Sequence, residues 1–167
     1  MARLDAHDRA LYARWVAVDA PRVVKAFWLT ITHLGGATAT IAIVLLTAAF
    51  GDRVLHQAGV DAAIVLLVTH LVAQAIKRTA TRPRPSGMSF EALIAAPDKF
   101  SFPSGHSIAA SALAFTYAWY FPTLAPALLV LATLIGVSRV RLGVHYPGDV
   151  LAGQAIALLG TLAVVAR

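Results

Sequence analysis

"AGVDAAIVLLVTHLVAQAIK", residues 58–77, decides the fold. Asp61 is its one acid, and its one formal cation, Lys77, stands at the very end. At 1.5 Å of rise per residue, a helix of this length covers about 30 Å, the thickness of a bilayer's hydrocarbon core. The rest of the chain has the same character. Of its 167 residues, 59% are hydrophobic and only 13% are charged, too few charges to cover a soluble domain of this size. The mean hydropathy is +0.73.

Working outward, proline, glycine and short charged turns divide the chain into further apolar runs. Ahead lies "ATATIAIVLLTAAF" (37–50), extended backward through "FWLTITHLGG", then the turn "GDRVLHQ". Behind lies a polar, proline-rich loop, 78–103. "SGHSIAASALAFTYAWYF" (104–121) follows and stops at Pro122; a shorter run, 123–138, and "PGDVLAGQAIALLGTLAVVA" (147–166) complete the set. The expectation is an all-α, multi-pass transmembrane bundle of five passes forming one membrane domain over 1–167, with the bundle proper at 24–167. No internal repeat or linker interrupts it.

Residues 1–23 read differently. They have no uninterrupted apolar core and no small-residue cleavage pattern, so they are not read as a signal peptide. Leu4, Leu11, Trp15 and Val18 recur with Arg3, Arg9 and Arg14 between them, as in a basic amphipathic helix lying on a membrane surface. An ordinary packed helix end explains the same spacing. There is no cysteine, so there is neither a disulfide framework nor thiol chemistry. The net charge of +6 suits anionic lipid or a phosphorylated substrate. The charge alone would also admit nucleic acid, but a bundle with so few exposed positions is a poor candidate for it, and no nucleic-acid partner is expected.

Alternation of the passes then brings residues to one side. Lys77 closes the second pass, Ser104 opens the third, Arg139 closes the fourth, and His145 stands just before the fifth. Lys77, Arg84, Ser104, His106, Arg139, His145 and Asp149 therefore share one membrane face, the site face. Cations such as Lys77 and Arg84 match phosphate oxygens, arginine with a two-pronged fork, although cations flanking a span also serve as interfacial anchors. In "FPSGHS" (102–107), Ser104 suits an N-cap, and Gly105 leaves the first-turn N–H groups open to an anion. His106 stands at the rim, able to donate a proton; a plain helix start has the same form. In "SRVRLGVHYPGDV" (138–150), Asp149 can reach back to one nitrogen of His145. That would fix the tautomer and leave the other nitrogen as nucleophile or base, or it would be a purely structural hydrogen bond.

Together these segments resemble the phosphatidic acid phosphatase type 2 superfamily. Its signature is Lys-x6-Arg-Pro, Pro-Ser-Gly-His and Ser-Arg-x5-His-x3-Asp, here "KRTATRPRP" (77–85), "PSGH" (103–106) and "SRVRLGVHYPGD" (138–149). Every defining position and spacing is present, and the similar helix pattern runs from about residue 24 to the end. The departure is at the front: many members have six passes, where this chain has five. The resemblance implies a lipid phosphatase. His145 would attack phosphorus and form a phosphohistidine, with Asp149 orienting it, and His106 would protonate the leaving oxygen. Lys77, Arg84 and Arg139, with Ser104 and the Gly105 backbone, would hold the phosphoryl oxygens. The substrate would be a phosphate monoester or diphosphate of a polyprenyl or glycerolipid.

No cofactor or metal enters this scheme. Eight acids serve the whole chain, and only Asp149, Asp98 and Glu91 lie near the site, too few for a magnesium cage. The same cationic pocket without catalysis would make a phospholipid-binding or translocating protein, but such a protein would not need His106, His145 and Asp149. Of the remaining histidines, His70 is expected inside the bundle and His7, His33 and His56 at the interfaces. The membrane lipids are the only other partner expected, and oligomeric state leaves no mark in the sequence. Charge sets the orientation. Outside the three cations assigned to phosphate, Arg3, Arg9, Arg14, Arg22, Lys25, Arg78, Arg82, Lys99 and Arg141 fall on the site face and only Arg53 and Arg167 opposite. The positive-inside rule then puts the site face of this cell-membrane protein in the cytoplasm.

Overall fold

The computed structural model describes residues 2–17, 19–85, 92–96 and 98–166. Val18, Glu91 and Arg167 lie outside these residues, as do the side chains of Arg3 and Leu4. The described chain is helical: α1 (Ala2–Trp15), α2 (Arg22–Leu34), α3 (Ala37–Phe50), α4 (Arg53–Ala80), α5 (Gly105–Tyr120), α6 (Ala125–Arg141) and α7 (Pro147–Val165). A 3-10 turn, Pro122–Leu124, leads into α6.

Each long helix has a local cause. Asp52 caps α4 by accepting the Leu55 N–H at 2.9 Å. α4 ends at Thr81, whose φ of 44° lies in the left-handed region that a β-branched residue seldom enters. This residue swings the chain back over the helix end. Ser104 caps α5, and Pro147 occupies the first turn of α7, where its missing N–H costs nothing. α5 is the central helix, packed against α4, α6 and α7. Its buried side is built of small residues, Ser107, Ala110, Ser111, Ala112 and Ala114, which let three neighbours approach at once. Gly153 on α7 makes the closest approach: a Cβ there would sit 2.9 Å from the Ser104 carbonyl oxygen.

Around this centre the bundle turns large apolar side chains outward. Leu45, Leu46, Phe50, Leu67, Leu71, Val130, Leu151 and Leu159 are all exposed, a belt no soluble surface carries. α4, the segment Pro122–Arg141 and α7 are each long and apolar enough to cross a membrane, and α2 with α3 would make a fourth span if the bent pair is one. α5 has 16 residues, about 24 Å of helix, and is sheathed by its neighbours.

Two expectations are modified. The first pass is not a continuous helix, because Gly35 and Gly36 break it and α2 and α3 meet at 44°. Consecutive glycines carry the weakest helix propensity short of proline, and the elbow lies against α5, with Gly36 beside His106. α1 is helical and meets the bundle through Tyr12, not through Leu11 and Trp15. Tyr12 and Val16 join Val140, Tyr146 and Val150, while Leu11 and Trp15 remain exposed. His70 is exposed on the outside of α4, not enclosed in the bundle. Thr69 is the residue turned inward, donating to the Val65 carbonyl at 2.7 Å, and the next position on a helix points about 100° away.

Candidate active site

The loop between α4 and α5 folds back over the helix ends. The Ser101 N–H donates to the Arg82 carbonyl at 2.9 Å, and an isolated bridge pairs Pro83 with Phe100. Prolines at 83 and 85 hold the preceding arginines in extended backbone, where alternate side chains point to opposite sides. Arg82 and Arg84 therefore diverge, Arg82 toward Asp149 and Arg84 toward His145.

His145 stands between α6 and α7. Its N–H and that of Val144 both donate to the Arg139 carbonyl at 3.2 Å, which fixes the turn that presents the ring. The ring is buried. Arg84 approaches one nitrogen, with Nη1 3.1 Å from His145 Nε2. A guanidinium can only donate, so Nε2 is the unprotonated nitrogen and Nδ1 carries the proton. Nδ1 faces Asp149 Oδ2 at 3.4 Å, within ion-pair range though outside hydrogen-bond alignment. Asp149 is fully buried and held from two further sides: Oδ2 accepts the Tyr146 N–H at 2.9 Å, and Oδ1 accepts from Arg82 Nη1 at 2.7 Å. Burial, reinforced by the nearby charges of Arg139 and Arg84, lowers the His145 pKa to about 4, with Asp149 opposing in part. The imidazole is neutral at pH 7, with a lone pair on Nε2.

Arg84 lies against that lone pair, and the charge of Arg139 also reaches the ring. Arg84 is anchored by Nε to the Asp98 carbonyl and by Nη1 to the Val144 carbonyl, both at 2.8 Å. Arg139 is buried, with Nη1 on Thr32 Oγ1 at 2.7 Å and Nε without a partner. The Asp98 carboxylate bridges Lys77 Nζ and Arg84 Nη2, each at 2.6 Å. Burial raises the Asp98 pKa, but the bonds from Lys77 and Arg84 outweigh it and hold the carboxyl below its usual range. The capping hydroxyl of Ser104 accepts from Ser107 Oγ at 2.9 Å, and the Ser104 N–H donates to the Asp149 carbonyl at 3.1 Å, tying α5 to α7. A Cβ on Gly105 would meet nothing within 4 Å, so the space beside the first turn of α5 is open. His106 lies within electrostatic reach of Arg139, His145 and Arg84. No cluster of three metal-ligating side chains occurs among the described residues.

The structure thus brings Lys77, Arg84, Ser104, Gly105, His106, Arg139, His145 and Asp149 to one end of the bundle. The arrangement offers a neutral, oriented imidazole, neighbouring cations and open space beside the first turn of α5, which together can receive an oxyanion and act on it. Three participants were not legible as such. Asp98 is noted in the sequence only as a nearby acid, Arg82 only as an accompanying cation, and Thr32 not at all. The Arg-Pro-Arg alternation is the one signal that separates Arg82 from Arg84 in advance.

A helical membrane bundle with this site at one end defines a class of phosphate-handling membrane proteins. The chain belongs to the PAP2 superfamily, whose sequence pattern it matches over residues 58–167. It is 41% identical over 86 residues to decaprenylphosphoryl-5-phosphoribose phosphatase of Mycolicibacterium smegmatis, covering 52% of this chain and 47% of that one. The match thus spans about half the length of that relative. It is 32% identical over 173 residues to phosphatidylglycerophosphatase B of Bacillus subtilis, covering 92% of this chain and 82% of the relative. The crystal structure of a transmembrane PAP2 type phosphatidylglycerolphosphate phosphatase from Bacillus subtilis superposes with a TM-score of 0.75 at 27% identity, over 98% of this chain and 85% of that one. These relatives are phosphatases of lipid phosphates, and the chain is an integral membrane protein of their family.

Proposed function

We propose that this protein hydrolyses the phosphate monoester or diphosphate of a membrane lipid through a phosphohistidine on His145. The observation that carries the reading is the placement of the buried His145 ring, with Nε2 3.1 Å from Arg84 Nη1 and Nδ1 3.4 Å from Asp149 Oδ2. Nε2 donates its lone pair to phosphorus and the bond from phosphorus to the leaving oxygen breaks. That oxygen takes a proton from His106, departing as lipid alcohol or, from a diphosphate, as lipid monophosphate. Asp149 stabilises the positive charge that develops on the imidazole. Lys77, Arg84 and Arg139, with the Ser104–Gly105 helix start, hold the equatorial oxygens in the transition state. Water then attacks the phosphohistidine, returns a proton to His106 and releases inorganic phosphate.

The protein's own cations neutralise the phosphoryl group, so the scheme requires no metal. The bundle crosses the membrane five times as one domain, with α2 and α3 together as the first pass and α5 as the third. The outward Leu11 and Trp15 suit contact of α1 with the interface, and the positive excess supports a cytoplasmic site face. The test is phosphate release by the purified protein in detergent from polyprenyl diphosphate, polyprenyl-phosphate sugar phosphate, phosphatidylglycerol phosphate and phosphatidate. At least one should turn over, and His106→Ala should lose far more rate with it than with an aryl phosphate, whose leaving group needs no proton. Equal losses on both would remove His106 as general acid.

A further inference from the structure

Asp149 poses an electrostatic problem that His145 does not solve. The carboxylate is fully buried, and the imidazole beside it is neutral at pH 7 before the reaction begins. A buried carboxylate needs a compensating charge. Arg82 supplies it, with Nη1 2.7 Å from Asp149 Oδ1.

The guanidinium is itself held on its other edge, by a residue far away in sequence. Arg82 Nη2 lies 2.8 Å from Asp8 Oδ2 on α1. Asp8 Oδ1 also accepts the Gly148 N–H at 2.8 Å, at the first turn of α7, the turn that carries Asp149. A Cβ on Gly148 would stand 2.7 Å from Asp8 Oδ2, so position 148 must lack a side chain for this contact to form. The face of the guanidinium lies 4.2 Å from the Tyr146 ring centre, and Tyr12 of α1 packs edge-on against that ring at 5.5 Å. Asp8 and Tyr12 are four residues apart and share one face of α1.

We propose that Asp8 and Arg82 are positioning residues of the active site, and that α1 is a strap that orients Asp149, and through it His145, across the chain Asp8–Arg82–Asp149–His145. The inference rests on the proposed role of His145 but is tested separately from it. Arg82 and Asp8 touch no substrate, so their loss lowers kcat and leaves KM alone. In the full-length chain, Arg82→Gln should cut kcat on the order of 10- to 100-fold, the usual effect of losing a partner that orients a reacting side chain. Asp8→Asn, which keeps the shape and the Gly148 contact, should cut kcat severalfold with the bundle intact. Arg82→Lys should recover only part of the rate, because an ammonium cannot span both carboxylates. The double variant Asp8→Asn/Arg82→Gln should be no slower than Arg82→Gln alone, since the two act in one chain.

A second measurement does not depend on hydrolysis. In 15N-histidine NMR of the protein in micelles, His145 should show a single tautomer protonated at Nδ1. Asp8→Asn and Arg82→Gln should each shift the Nδ1 resonance, because the carboxylate behind it is no longer held, while Arg84 keeps Nε2 unprotonated. A rise in KM at constant kcat would overturn the proposal by making Arg82 a substrate ligand. Additive losses in the double variant, or His145 resonances unmoved by either substitution, would overturn it as well. If His145→Ala still hydrolyses lipid phosphate, the phosphohistidine reading fails, while the NMR measurement still decides the role of the strap. Should Arg82→Gln fail to fold, Asp8→Asn carries both measurements alone.

Discussion

Arg82 and Arg84 are two positions apart and serve opposite sides of one histidine. Arg84 faces Nε2, where the chemistry is proposed, and Arg82 holds the carboxylate behind Nδ1. The imidazole stays neutral chiefly through burial, with the charges of Arg139 and Arg84 adding to it. The ordinary histidine pKa is about 6.5 and the folded value is about 4. Between those values the unfolded chain binds the proton and the folded one refuses it. Stability contributed at this group is therefore present above pH 6.5 and is lost as pH falls toward 4. The nucleophile remains unprotonated across the same window. The acid limb of kcat/KM that belongs to His145 should accordingly lie near pH 4, measured on an aryl phosphate in detergent; a limb near 6.5 that His145 alone sets would contradict the burial argument. The sequence makes the His145–Asp149 pair legible, because an acid in the first turn of α7 can reach back to a residue just ahead of the N-cap. It leaves Arg82 unread, since a cation at a helix end is equally an interfacial anchor, and its partner Asp8 is brought in from the far end of the chain.

At the scale of elements, the loop between α4 and α5 presents cations and also obstructs them. Asp98 bridges Lys77 and Arg84 with a carboxylate about one-third exposed, in the manner a phosphate oxygen would. In the proposed reaction a substrate phosphate would displace it from the same donors. Asp98→Asn keeps the shape and removes the competing charge, and the Asp98 backbone carbonyl still holds Arg84 Nε. The expected result is a KM lowered severalfold at little-changed kcat, read from initial rates against lipid concentration. A raised KM would mean that Asp98 chiefly orders Arg84. The helices themselves were largely legible from apolar length and proline–glycine punctuation. The elbow at Gly35–Gly36 was not, because it is packing against α5 that decides whether a double glycine bends a helix or is carried through it. Nor was the packed face of α1, because the spacing of Leu11 and Trp15 fits a membrane-facing stripe and a packed one alike, and it is Tyr12 that meets the bundle.

At the scale of the whole molecule, an outward belt of leucine and phenylalanine encloses a core whose polar end holds the site. The proposed cytoplasmic orientation follows from basic residues on α1, α2 and the α4–α5 loop. In the proposed five-pass topology, the C-terminus would lie on the opposite side. A C-terminal alkaline phosphatase fusion should be active and a fluorescent protein fusion dark; the reverse pattern would turn the site outward. Because Lys77, Arg84 and Arg139 supply the positive charge, hydrolysis should persist in excess EDTA, and vanadate, a mimic of five-coordinate phosphorus, should inhibit. Activity abolished by chelation and restored by magnesium would replace this scheme with a metal-assisted one. The central claim is the covalent intermediate, and rapid quenching with a 32P-labelled lipid phosphate tests it most directly. The account predicts acid-labile, base-stable label on the peptide carrying His145, absent from His145→Ala, whose turnover falls by at least about 10³-fold. Steady turnover with no label on His145, or near-normal hydrolysis by His145→Ala, would contradict it.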